Sequence, residues 1–175
     1  YVSVFKNIVE VFDFDAETGK VSNVQQFTPP VLGTDFGPMY LEFSPDGSKL
    51  YVTSPNRGSG GGNKLYQYDL SANSGFVELN PSPMQTDVVA LQLGRDGKIY
   101  VSKKGNNWLG VIENPNRPGT FCNYNEFGFD LGTKFATNAL PNFIQSFFDV
   151  PPIDYDTKCD GDLTVFSMLN TSNID

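Results

Sequence analysis

The chain has 175 residues, 39% of them hydrophobic and 14% aromatic, enough apolar side chain to bury a core of ordinary domain size. Its 12 basic and 20 acidic residues leave a net charge of −8, which excludes the basic stripe that a nucleic-acid partner requires. The complete lack of histidine excludes Ser-His-Asp and Cys-His nucleophile systems and every His-ligated zinc site, and two cysteines are too few for a four-thiolate metal site. With 17 Gly, 12 Pro, 15 Phe and 8 Tyr, the composition points to short strands joined by tight turns, an all-β fold. No apolar run approaches 18 residues, so membrane insertion is not expected. The chain opens in mid-strand with YVSVF and reads as a fragment of a longer polypeptide.

The first predicted element is a strand pair, IVEVFDFDAETGKVSNVQQF, over residues 8–27. Asp13, Asp15 and Glu17 stand there at the spacing of a calcium loop. Such a loop needs five or more converging oxygens, however, and this run ends in a hairpin turn after three acids, so a plain turn is expected. Two matching hairpins follow, LEFSPDGSKLYVTS (Leu41–Ser54) and LQLGRDGKIYVSKK (Leu91–Lys104), whose turn residues Gly47 and Gly97 lie 50 positions apart. Each leads through a loose loop (PNRGSGGGN, then KKGNNW) into a second pair, KLYQYDLSANSGFVEL and then LGVIENPNRPGTFCNY. The turns of the three second pairs align on Gly19, Gly75 and Gly119, at intervals of 56 and 44 residues around the same period. The Gly58–Gly62 run is not a phosphate loop, because the strand pattern NKLYQYDL follows it in place of a Lys-Ser/Thr helix start.

Four strands in about fifty residues is the arithmetic of a β-propeller blade. The chain is expected to hold the end of one blade (1–28), two four-stranded blades (36–80 and 86–131) and, in NFIQSFFDV, a strand of the next, with Phe143, Phe147 and Phe148 in the core. A sandwich of the same hairpins is the alternative. Trp108, with Tyr66 and Tyr68 on a strand, has the chemistry to stack on a sugar ring, against the commoner role of inter-blade packing. Asp154, Asp156, Asp160 and Asp162 form an acidic cluster that is either a calcium site or a solvated linker. Glu42 and Asp69 are the nearest approach to a strand-borne catalytic pair, and both read as structural or exposed.

The strings LQLGRDGKIYVSKKGNNWLGVIENPNRPGTFCNYNEFGFDLG and ALPNFIQSFF resemble a propeller-like repeat region of large secreted surface proteins of the Bacteroidota. That region carries an LQLGPDGKIYVA-type strand pair, a GVIxNPNxxG turn, CNY and an LPNFIQ strand in this order. The likeness covers residues 36–150, with Arg95 where the family usually has Pro. The tail CDGDLTVFSMLNTSNID resembles the first strand of a PKD-type immunoglobulin-like module through Cys159, Gly161, Asp162, Thr164 and Phe166. The resemblance implies propeller blades over 1–150, a linker over 151–158 stiffened by Pro151 and Pro152, and the start of a PKD-like domain over 159–175. It further implies a cell-surface parent with a signal peptide and a gliding-motility-associated domain for type IX secretion.

Two disulfide pairings are open: Cys122 with Cys159 across the domain boundary, which is preferred, or Cys159 within the PKD-like domain. The expected function is non-catalytic: an extracellular binding, adhesion or spacer module with no cofactor beyond the calcium considered above. Its expected partners are other domains of the same polypeptide, surface glycans, or the secretion and gliding machinery. The alternative is a fragment of a carbohydrate-active propeller enzyme whose acids lie in other blades.

Overall fold

The protein, seen in a computed structural model, is described over residues 8–30, 37–54, 62–73, 75–79 and 87–141, and over two strands further on. Regular structure among these residues is all β, with one 3-10 turn at Gly119–Cys122 and no α-helix. No helix is long and apolar enough to cross a membrane among them. Backbone packing divides the chain into two compact units, Tyr1–Asn142 and Phe143–Asp175.

The described residues of the first unit form three antiparallel sheets in chain order. A leading pair joins β1 (Val9–Asp15) to β2 (Lys20–Phe27). The middle sheet is a four-stranded meander of β3 (Tyr40–Phe43), β4 (Lys49–Ser54), β5 (Lys64–Asp69) and the two-residue β6 (Val77–Glu78). The third sheet repeats that order with β7 (Val88–Leu93), β8 (Ile99–Lys103), β9 (Trp108–Ile112) and β10 (Tyr124–Asp130). In the second unit, β11 (Ile153–Tyr155) pairs antiparallel with β12 (Phe166–Met168). The segment NFIQSFFDV and most of the expected linker and PKD-like start lie outside the described residues.

The two Asp-Gly turns are built alike. Gly47 donates its N–H to the Ser44 carbonyl and Gly97 donates to Gly94, with φ of 68° and 75°, a backbone that costs a residue with Cβ and suits glycine. Asp46 accepts from the Ser48 N–H and Asp96 from the Lys98 N–H. The second turn is one residue shorter, closing from Gly94 to Lys98 where the first closes from Ser44 to Lys49. In each sheet the lysine leaving the turn pairs with the acid at or just past the end of the third strand: Lys49 with Asp69 at 3.2 Å and Lys98 with Glu113 at 2.5 Å.

Alternation along β4 and β5 sends side chains to opposite faces of the middle sheet, and both faces are covered. Leu50, Val52 and Tyr68 pack with Val9 and Phe27 of the leading pair. Tyr51 and Leu65 pack with Val88, Leu91, Ile99, Val101, Ile112 and Cys122 of the third sheet and its last loop. Every residue of β4 is buried. The alternation in LYVTS predicts one core face; a sheet on each side makes it two. Across the layers, the main strand-to-strand approaches are those of β3 and β4 to β7.

Candidate functional site

The middle and third sheets meet along a seam of specific polar ties. Where β3 and β4 face β7, the Thr53 hydroxyl donates to the Val89 carbonyl at 2.7 Å, and the Leu93 N–H donates to Glu42 Oε2 at 3.0 Å. Farther out, the loop between β9 and β10 folds onto the middle sheet. The Tyr51 hydroxyl donates to the Pro115 carbonyl at 2.7 Å, while Gln67 Nε2 donates to the Tyr51 hydroxyl and the Arg117 carbonyl at 2.7 and 2.8 Å. Gln67 Oε1 in turn accepts the Gly119 N–H at 2.6 Å. A buried amide with both ends satisfied sets where the loop sits, since each of these groups would be costly to leave unpaired.

Beyond Gln67 the loop and the middle sheet border an open groove of about 390 Å³ lined by Gln67, Asp69, Val77 and Pro118–Phe121. Its two long polar side chains, Gln67 and Asp69, are already engaged. Asp69 accepts from the Ser71 hydroxyl and the Ser71 and Ala72 N–H groups, and it pairs with Lys49. The Ser71 bond foremost, with Ala72 and Lys49, holds the Asp69 carboxyl below the usual aspartate range. Asp69 is therefore an ionised structural carboxylate, unsuited to donating a proton. What the groove offers a partner is chiefly apolar, with the exposed Thr120 beside it: Phe121 is 77% exposed and Val77 39%.

The aromatic residues singled out from sequence are separated by their ring contacts. Tyr66 and Tyr68 are buried in β5, where both meet Phe76 and Tyr68 also meets Phe27 at a 4.3 Å centroid distance. Trp108 opens β9 in the other sheet and stands edge-on to Phe127 at 6.2 Å. Tyr68 thus forms part of the packing between the leading pair and the middle sheet, and Tyr66 is buried beside Phe76. Asp13 accepts from Asn23 Nδ2, and Asp15 caps its own turn by accepting from the Glu17 and Thr18 N–H groups and the Thr18 hydroxyl. Cys122 is fully buried beside Tyr51, burial pushes its thiol up, and it forms no disulfide among the described residues. Cys159, Asp156, Asp160 and Asp162 lie outside the described residues, and Asp154 is described only as backbone in β11.

Three features were not read from sequence. Lys103 is fully buried, donates through Nζ to the Glu126 carbonyl and lies 4.5 Å from the centre of the Phe127 ring. Phe121 stands exposed beside a buried cysteine, a contrast that strand alternation does not encode because the 3-10 turn sets it. Glu42 spans two sheets, for which its place in an LEF/LQL repeat is the only signal. In comparisons with known proteins, the chain matches no family model and no curated protein.

Proposed function

We propose that residues 9–141 are successive blades of a β-propeller-type repeat, and that the chain is a non-catalytic extracellular module that presents binding surface or spaces its neighbouring domains. The observation that carries the architecture is the middle sheet, buried on both faces between a leading pair and a third sheet. In a two-sheet sandwich each sheet keeps a solvent side, whereas in a stack of blades every internal sheet loses both. Four-stranded meanders that come together chiefly at their first strands also fit blades set around an axis.

The non-catalytic reading is supported by how the carboxylates are used. Asp15, Asp46 and Asp69 brace turns, and Glu42 ties two sheets. The extracellular setting rests on the likeness of the LQLGRDGKIYV and ENPNRPGTFCNY strings to secreted repeat regions. A glycan array with a parallel assay for released product tests the function: retention of a glycan class without cleavage is the expected outcome. Release of product from any arrayed glycan would overturn the non-catalytic reading.

A further inference from the structure

The groove between the middle sheet and the β9–β10 loop joins an outward-held aromatic ring to a half-used carboxylate. Phe121 stands 77% exposed on a 3-10 turn that Gln67 fixes through Gly119 and Arg117, while the next residue, Cys122, fills the core. On the sheet side, Asp69 receives the Ser71 hydroxyl, the Ser71 and Ala72 N–H groups and Lys49, all at Oδ1. Its Oδ2 receives no bond among the described residues, although only 13% of the side chain is exposed. We propose that this groove is a carbohydrate-binding site for one neutral pyranose residue, its C–H face on Phe121 and Val77 and its hydroxyls donating to Asp69 Oδ2.

Charge complementarity selects the occupant. Asp69 and Lys49 stand 3.2 Å apart and neutralise each other, so the site calls for no cation. An anion would meet the Asp69 carboxylate, which its hydrogen bonds and Lys49 hold ionised. An alkyl chain or an apolar peptide side chain would cover Phe121 and Val77 but shut Oδ2 away from water with no donor, a costly outcome for a charged oxygen. Both demands are met by a neutral molecule with one apolar face and O–H donors around its rim, and a pyranose is built that way. A bond from an O–H donor to a carboxylate is short and strong, and the exposed Thr120 hydroxyl stands ready for a neighbouring sugar hydroxyl. The space, about 390 Å³, lies at the lower end of small-molecule pockets and holds a sugar ring, not a folded partner.

The groove also belongs to one pair of units and not to the repeat. In strand register Gln67 lies opposite Tyr51, and the matching position in the third sheet, opposite Tyr100, is Val111. The third sheet has no amide there to hold a following loop as Gln67 holds Pro118–Phe121. A feature needed only to stack units would recur with the units; this one does not. The site gives the binding module its ligand class, and so it rests on that reading.

The test uses the whole 175-residue chain, isotope-labelled for NMR. The probes are the methyl glycosides of glucose, galactose, mannose and N-acetylglucosamine, with cyclohexanol, an apolar ring bearing a single hydroxyl, as the comparison. At least one glycoside is expected to shift the Ala72, Gly119, Thr120 and Phe121 amides saturably, and cyclohexanol to leave them in place. Phe121→Ala is expected to weaken that binding by about tenfold with an unchanged melting temperature, since the ring it removes is exposed, and Phe121→Trp to restore it. If no glycoside moves these amides, if cyclohexanol moves them as far, or if Phe121→Ala binds like wild type, the proposal is overturned. A glycan array separates this from the wider reading: retention that Phe121→Ala leaves untouched removes the site and keeps the binding module, whereas release of product removes the non-catalytic reading whatever the groove holds.

Discussion

Glycine at position 47 holds φ at 68°, and at position 97 at 75°, with open space where a Cβ would stand at Gly47. The demand there is purely conformational, so Gly47→Val is expected to destabilise by about 1–2 kcal/mol, read as a lower urea midpoint at unchanged slope. Lys103 makes the opposite demand, of environment and not of backbone. Burial lowers its pKa, so between that depressed value and the ordinary lysine value the unfolded chain binds more protons, and stability rises with pH. Urea unfolding from pH 7 to 10 is expected to show this rise as the difference between wild type and Lys103→Met, a subtraction in which the titrating tyrosines cancel. The glycines were legible because Asp-Gly between alternating strands states its own geometry. Lys103 was not, because nothing local distinguishes it from the solvated Lys104 next to it.

At the scale of elements, the hairpins fall where alternation places them, but the last strand of the third sheet does not: the expected pair LGVIENPNRPGTFCNY ends at Tyr124, where β10 (Tyr124–Asp130) only begins, and its Gly119–Cys122 stretch is a 3-10 turn. The two sheets differ in how their last strands are made. β6 has two residues and β10 seven, although both follow comparable third strands. The β9–β10 connection explains part of this. It is an eleven-residue excursion through the 3-10 turn that docks on the middle sheet, and a contact between sheets has no periodicity to betray it. The seam is expected to depend on Gln67 more than on any exposed residue. Gln67→Ala leaves the Gly119 N–H and the Arg117 carbonyl without their partner, a loss of about 2–3 kcal/mol in urea unfolding. Trp108 fluorescence should report that loss from the other sheet.

For the first unit as a whole, the order of layers is the order of the chain: leading pair, middle sheet, third sheet. The fifty-residue period made that order legible, since each repeat carries the same pattern of strands. The period says nothing of which side chains cross from one repeat to the next, and those contacts hold the layers together. Leu65 of the middle sheet lies in the core shared with the third, so Leu65→Ala is expected to cost about 2–5 kcal/mol. Its effect should appear equally in far-UV dichroism and in Trp108 emission, because the two sheets share one core; transitions that separate would show the sheets unfolding independently.

The sealing of the middle sheet on both sides also bears on how such a chain can change over time. A surface strand can drift on its wet side while its dry side stays constant. β4, buried at all six positions, has no wet side, and an altered residue there must suit either the sheet before it or the sheet after it. On the proposed blade reading, duplicating or deleting an entire four-stranded unit would keep the two matching faces of its neighbours together. On that reading a change in the number of units disturbs fewer matched contacts than a change within β4.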